Sequence, residues 1–142
     1  MATLVVDASI AVKWFVEEQY FEFARVLHSS QVNLRAPTLL VPEIGNAFLK
    51  KVRRGELTEQ DAGLGLGQVP SMVSLLDTQT LAQDALSIAL RYQRSLCDSL
   101  YVAPCHSGTV SARYGGRASL QRPQVDLSGD NALDRTRAGH DR

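Results

Sequence analysis

Residues 3–15 read T-L-V-V-D-A-S-I-A-V-K-W-F and join a predicted strand to a predicted helix. Its first four residues are typical of a buried strand, and Asp7 follows them directly. Ser9 then opens a segment of helical character, so the Asp7 carboxylate is predicted at the carboxyl end of a strand. In open α/β sheets that edge is where ligands bind. A structural role is the alternative for both residues, because Asp and Ser are favoured helix N-caps.

Length and composition limit the possible classes of protein. A chain of 142 residues with 44% apolar content is expected to form one globular domain. Its formal net charge is zero, so any nucleic-acid binding would need a local basic patch. Neither a membrane span nor a secretory signal is apparent, and a cytoplasmic protein is expected. Cys97 and Cys105 are too few for a disulfide framework and are predicted to be free thiols.

Predicted strands alternate with pairs of helices along the first two thirds of the chain. Strands are predicted over residues 3–6, 33–36 and 72–76. Helices are predicted over 10–16, 20–29, 40–55 and 80–94, with two further helices starting near residues 58 and 97. This order predicts an α/β fold in which a central parallel sheet has helices on both faces.

The helix predicted over residues 40–55 carries both an acid and a basic run. Pro42 suits its first turn, Gly55 suits its end, and apolar residues recur three or four apart between them. Glu43 lies near its amino end. Lys50, Lys51, Arg53 and Arg54 form the basic run at its carboxyl end. This run either contacts the phosphates of an RNA backbone or is a solvated helix end that suits the helix dipole.

Three acids are predicted at one edge of the sheet. Asp7, Glu43 and Asp98 each lie at the end of an element that should point to that edge. Converging carboxylates repel one another unless a cation neutralises them, and oxygen ligands of this kind suit Mg²⁺ or Mn²⁺. Such ions polarise a phosphoryl oxygen and lower the pKa of bound water, so a phosphodiester substrate is predicted. Ser9 either hydrogen-bonds a metal ligand or the scissile phosphate, or caps the helix.

Three segments together resemble a known family. V-V-D-A-S-I-A-V-K-W-F, V-P-E-I-G-N-A-F and C-D-S-L-Y-V-A resemble the PIN-domain family, in particular the VapC-type toxins of bacterial toxin–antitoxin systems. The resemblance covers residues 1–103, with the three motifs in the family's order. It implies that Asp7, Glu43 and Asp98 are three of four acidic metal ligands, and that Ser9 is the family's small hydroxyl residue.

The resemblance also implies an activity and partners. Members of the family are Mg²⁺- or Mn²⁺-dependent endoribonucleases that cut structured RNA such as tRNA or ribosomal RNA. The resemblance therefore implies an RNA substrate for this chain, a VapB-type antitoxin that neutralises it, and assembly as a homodimer.

Residues 104–142 depart from the family pattern. They contain no Lys, Glu, Ile, Phe or Met and show no helical or strand period, so a poorly ordered tail is predicted. The PIN-like domain, residues 1–103, is then expected to be incomplete at its C-terminal strand. The family's fourth acid lies in a T-A-D-like motif that the tail lacks, and the surroundings of Asp126 and Asp130 do not match it.

A shifted reading frame is one hypothesis for this departure. Synonymous codons chosen for parts of the tail, read one base later, give Leu-Ala-Ile-Ala and then Val-Thr-Ala-Asp-Ala-Arg-Leu. The gene sequence tests this hypothesis directly.

Two functions therefore compete at this point. The first is a VapC-like endoribonuclease, and the second is a catalytically impaired, truncated PIN-like protein that retains only partner binding. A small nucleotide-binding module is disfavoured, because the G-L-G-L-G segment lacks the preceding strand and the Lys-Ser/Thr ending of a phosphate loop.

Overall fold

A four-stranded parallel sheet forms the centre of the protein. The computed structural model describes residues 3–17, 22, 25–26, 31–106 and 114–115. The strands are β1 (Thr3–Val6), β2 (Asn33–Pro37), β3 (Ser74–Leu76) and β4 (Tyr114–Gly115). Their spatial order is β3-β2-β1-β4, and every neighbouring pair is parallel. The carboxyl ends of all four strands therefore meet at one edge of the sheet.

Five α-helices connect and cover these strands in the described parts of the chain. They are α1 (Ala8–Ala11), α2 (Leu40–Arg53), α3 (Glu59–Met72), α4 (Thr78–Tyr92) and α5 (Leu96–His106), and a 3₁₀ turn, Val12–Trp14, continues α1. Side-chain caps begin two of the longer helices. Thr58 accepts a hydrogen bond from the Asp61 N–H (3.0 Å) at α3, and Asp77 accepts one from the Gln79 N–H (3.0 Å) at α4. These caps satisfy backbone donors that have no partner within the helix.

The helices lie on both faces of the sheet, as predicted. Leu75 packs against a core cluster built mainly from α1, α2, α3 and the strands, whereas Leu76 packs against a second cluster built from α4 and α5. Successive side chains of a strand point to opposite faces, so at β3 the two clusters lie on opposite sides of the sheet. The α/β fold class and its PIN-like layering are thereby confirmed.

Two predicted boundaries differ from those observed. The strand predicted over residues 72–76 begins only at Ser74, because α3 continues through Pro70 and ends at Met72. Pro70 removes one helical hydrogen bond but does not stop the helix. Most of the helix predicted over residues 20–29 falls outside the described residues.

The described C-terminal part of the domain consists of helix α5 and a short strand. Helix α5 continues through Pro104 and ends at His106, beyond the boundary predicted at residue 103. A short strand, β4, then pairs with β1 through Val5↔Tyr114 and Val6↔Gly115. This two-residue strand agrees with the expectation of a domain that is incomplete at its C-terminal strand. The prediction of a poorly ordered tail concerns residues that otherwise fall outside the described ranges.

Two further sequence expectations concern the helices. Within the described ranges, no helix combines the length and the apolar character that crossing a membrane requires. Both cysteines of the chain lie on α5 and are free thiols, as predicted. Cys97 is exposed, whereas Cys105 is half-buried, and burial raises the pKa of the Cys105 thiol.

The two thiols are predicted to differ in reactivity. At mildly alkaline pH, iodoacetamide should alkylate Cys97 faster than Cys105, because the thiolate is the nucleophile and burial disfavours it at Cys105. Peptide mass spectrometry over a time course measures both rates. A Cys105→Ser variant should keep the fast phase and lose the slow one, and equal rates at the two sites would contradict the prediction.

The same shift has a defined effect on stability. The folded state holds the Cys105 proton more tightly than the unfolded state does. The free energy of unfolding should therefore fall as the pH rises through the pKa of the unfolded thiol, and the Cys105→Ser variant should lack this contribution.

Three glycines weaken the helical pattern of α3, and one of them has a packing role. A Cβ added at Gly65 would lie 3.1 Å from Phe15 Cδ1 and 3.2 Å from Phe48 Cε2, whereas one at Gly63 or Gly67 would meet nothing within 4 Å. Phe15 and Phe48 pack edge to face with ring centroids 5.5 Å apart. Gly65 therefore allows α3 to approach this aromatic pair closely.

Alanine substitutions should separate these roles. Gly63→Ala is expected to raise the free energy of unfolding by about 0.5 to 1 kcal/mol, because it improves helix propensity in open space. Gly65→Ala should gain less or lose stability, and Gly65→Val should lose about 1 to 3 kcal/mol through overpacking. Urea denaturation measures all three, and equal gains for the two alanine variants would refute the close approach.

Candidate active site

Asp7 lies at the carboxyl end of β1 and caps α1. Its Oδ1 accepts hydrogen bonds from the Ile10 N–H (3.1 Å) and from the Ser9 hydroxyl (2.7 Å). The two roles considered for Asp7 are therefore compatible, since a capping carboxylate also stands at the ligand-binding edge of the sheet. Within the described residues, Oδ2 makes no hydrogen bond. Asp7 is thus a half-buried, oriented carboxylate with one oxygen left for another partner.

The Ser9 side chain forms its hydrogen bond with the Asp7 carboxylate. Its hydroxyl donates to Asp7 Oδ1, and the backbone cap is made by Asp7 itself. Of the roles that the sequence left open, the structure supports hydrogen bonding to a candidate ligand.

Glu43 lies in the first turn of α2, and its side chain contacts helix α5, which is distant in the sequence. Its Oε2 accepts a hydrogen bond from the Tyr101 hydroxyl on α5. Tyr101 is only 3% exposed, so its hydroxyl needs an internal partner. This contact fixes the carboxylate between two helices. Sequence reasoning did not single out Tyr101, although it is the only buried hydroxyl-bearing aromatic of the C-D-S-L-Y-V-A motif.

Asp98 has different surroundings. It lies in the first turn of α5 and is exposed, and its backbone N–H donates to Ser95 Oγ (3.0 Å). The hydroxyl of Ser99, which is fully buried, donates to the Ser95 carbonyl (2.9 Å). Ser95 therefore organises the start of α5, and the Asp98 side chain faces solvent.

The three predicted acids do not form a ready-made metal cage. Across the described parts of the chain, no three Asp, Glu, His or Cys side chains stand close enough together to hold one metal ion. Asp7 is engaged with α1, Glu43 with Tyr101, and Asp98 is exposed. The chemistry of the donors suits Mg²⁺ or Mn²⁺, although these residues do not bring three carboxylates together.

Two threonines that the sequence did not indicate form hydrogen bonds at the same edge of the sheet, where β2 and β3 end. The Thr38 N–H donates to the Leu76 carbonyl (2.8 Å), and the Thr78 N–H donates to Thr38 Oγ1 (3.2 Å). The two hydroxyl oxygens are also hydrogen-bonded, 3.2 Å apart. These bonds join the ends of β2 and β3 and fix the turn that leads into α2, hence the position of Glu43. The only signal in the sequence was a Thr soon after each predicted strand.

The basic run at the end of α2 is divided between the interior and the surface. Lys51 is 8% exposed and forms an ion pair with Glu56 (3.2 Å). Lys50, Arg53 and Arg54 are exposed. Of the four basic residues, for which RNA contact and a solvated helix end were the alternatives, Lys51 is therefore engaged within the protein, and three cations face solvent.

The fold and the edge define a class of protein. A parallel sheet in the order β3-β2-β1-β4, helices on both faces and an oriented carboxylate after β1 are the features of a PIN-like α/β domain. No family model matches the chain. A curated relative does match: the chain is 32% identical over 103 residues to Ribonuclease VapC3 of Pyrobaculum aerophilum, covering 70% of this chain and 79% of that protein. The chain therefore belongs to the VapC family of ribonucleases.

The contact between Tyr101 and Glu43 is open to a direct energetic test. Tyr101→Phe should lower the free energy of unfolding by about 1 to 2 kcal/mol, because it removes a hydrogen bond to a part-buried carboxylate. Glu43→Ala removes the acceptor and serves as the second arm of a double-mutant cycle measured by urea denaturation. If the two side chains share one bond, the double variant loses less than the sum of the single losses. Strict additivity would contradict the contact.

Proposed function

We propose that this protein is a VapC-like, metal-dependent endoribonuclease toxin that hydrolyses phosphodiester bonds of structured RNA and is neutralised by a VapB-type antitoxin. The observation that carries the proposal is the position of Asp7. Its carboxylate follows β1 at the edge of the sheet and is oriented by Ser9 and the Ile10 N–H. Membership of a family whose relative is named a ribonuclease supports RNA as the substrate.

The side chains of the site have distinct tasks in this proposal. Asp7 supplies a fixed carboxylate with a free oxygen, and Ser9 holds its orientation. Glu43 supplies a second carboxylate, which Tyr101 positions. Asp98 supplies a third from the exposed first turn of α5.

Dependence on Mg²⁺ or Mn²⁺ is part of the proposal and rests on the type of donor. Proteins often hold Mg²⁺ through only one or two carboxylates and leave the remaining positions to water and substrate phosphate oxygens. A bound divalent ion supplies positive charge that polarises a phosphoryl oxygen. Binding of this kind needs one or two protein carboxylates, which is fewer than the three acids of a preformed metal site.

Self-association is also proposed, with a homodimer as the expected assembly. Leu86 and Leu90 are 52% and 73% exposed, and they lie one turn apart on α4. A neighbouring pair of exposed leucines supports burial against another chain.

A second candidate is a catalytically impaired, truncated PIN-like protein that retains only partner binding. Two observations favour it: the described residues do not group three acids, and residues 104–142 lack a T-A-D-like motif for a fourth. In this case the oriented Asp7 would be a remnant of the family's site.

An RNA cleavage assay separates the two candidates. Purified full-length protein is incubated with a labelled, structured RNA and Mn²⁺, beside an Asp7→Asn variant and a chelator control. Asn remains a favoured N-cap, so the variant keeps the start of α1 while it loses the charge. If the proposal holds, the variant should cleave more slowly by roughly a hundredfold or more, and chelation should stop cleavage of RNA by the unmodified chain.

Each alternative has its own result. Equal cleavage by both proteins would remove Asp7 from the mechanism. No cleavage by the unmodified chain, together with intact binding to a VapB-type antitoxin, would favour the impaired protein.

A further inference from the structure

Helix α2 presents two stripes of side chains with different environments. Four residues form the buried stripe: Leu40, Ile44, Phe48 and Lys51. Five residues at helical spacing form a second stripe beside it: Glu43, Asn46, Lys50, Arg53 and Arg54. At about 100° per residue they share one sector of the helix surface. Glu43 is half-buried and the other four residues are exposed, so this stripe runs from the candidate active site out to solvent.

Charge is separated along the second stripe. Glu43 is at its amino end, and three cations occupy its carboxyl end, which lies about 15 Å further along at the rise of an α-helix. Within the described residues, no carboxylate pairs with Lys50, Arg53 or Arg54, and the nearby Glu56 is engaged by Lys51. Among the residues that the structure describes, no carboxylate therefore compensates these three cations, in a chain whose formal net charge is zero.

We propose that Lys50, Arg53 and Arg54, here called the α2 basic surface, bind the phosphate backbone of the RNA substrate. The inference rests on the proposed function and adds to it a place where the RNA is held. The surface anchors phosphates at one end of α2 while the scissile bond lies near Glu43 at the other end. A very short RNA could not span both, so this separation favours an extended or folded substrate.

Membership of a ribonuclease family favours RNA over an acidic polypeptide as the partner of this surface, and the chemistry of the surface suits phosphates. Guanidinium groups bind phosphate through paired N–H donors, and Arg53 and Arg54 supply two such groups at adjacent positions. Backbone phosphates recur regularly along an RNA, so several cations on one turn of helix can be satisfied at once. Contacts of this kind carry little sequence information and release counterions, so they should appear as salt-dependent affinity.

The test measures RNA binding in a background that does not cleave. All proteins carry Asp7→Asn, and the probe is a labelled RNA stem-loop titrated by fluorescence anisotropy over a series of salt concentrations. The test pair is Arg53→Gln with Arg54→Gln. The matched control is Arg91→Gln with Arg94→Gln, which removes the same charge from the end of α4, where Arg91 stacks over the Tyr92 ring (5.4 Å). Thermal melting checks that every variant is folded.

The expected result is specific to the test pair. Affinity should fall, and the slope of log K against log salt should become shallower by about 0.7 to 0.9 for each lost phosphate contact, hence by about 1.4 to 1.8 for two. The control pair should leave the slope nearly unchanged. Lys50→Gln alone should make the slope shallower by about 0.7 to 0.9, the change expected for one lost phosphate contact.

Other outcomes overturn the inference in distinguishable ways. Equal losses for test and control pairs would indicate a general charge effect. Unchanged RNA binding by the test pair, with a strong salt dependence retained, would move the RNA elsewhere and leave the proposed function standing. The same variants are also titrated with a labelled polyglutamate probe. If the test pair loses binding to this probe but not to RNA, the surface binds an acidic polypeptide. If no protein binds RNA, both the inference and the proposed function fail.

Discussion

The parallel pairing of β1 with its neighbours is the constraint on which the rest of the structure depends. β1 is in register with β2 through Thr3↔Asn33, Leu4↔Leu34 and Val5↔Arg35, and Val5 and Val6 are fully buried. This pairing places the carboxyl end of β1 beside the turn that starts α2. The oriented acid after β1 and the acid in the first turn of α2 both take their positions from it. A slip of one residue would turn the buried valines to the wrong faces of the sheet.

Hydroxyl groups organise the functional edge. Ser9 holds Asp7, Tyr101 holds Glu43, and Thr38 joins Thr78 where β2 and β3 end. A neutral donor orients a carboxylate without cancelling its charge, whereas an Arg or Lys partner would form an ion pair. The edge therefore combines fixed geometry with negative charge that remains available to a cation. By contrast, Lys51 forms an ion pair with Glu56 at the other end of α2.

Features that depend on local pattern could be predicted from the sequence, and features that depend on tertiary contact could not. The strand 3–6, the acid after it and the extent of α2 follow from strand composition, helical period and end signals. The contact of Tyr101 with Glu43 joins residues far apart in the chain, and no local signal announces it. Lys51 belongs to a run of four basic residues that is typical of a helix surface, and only its helical spacing from Phe48 places it on the buried stripe. Strand β4 is too short to show any period.

The position of β4 has a consequence for how the chain acquires its structure. β1 is made first, yet one of its edges is paired only when residues 114–115 are available. Contacts between segments this distant form slowly, because closing the long loop between them costs chain entropy before the contacts stabilise the structure. Until then β1 presents unpaired backbone groups on that side, and an unpaired edge can accept a strand from another chain. The exclusion of foreign strands from this edge of β1 therefore depends on a two-residue pairing.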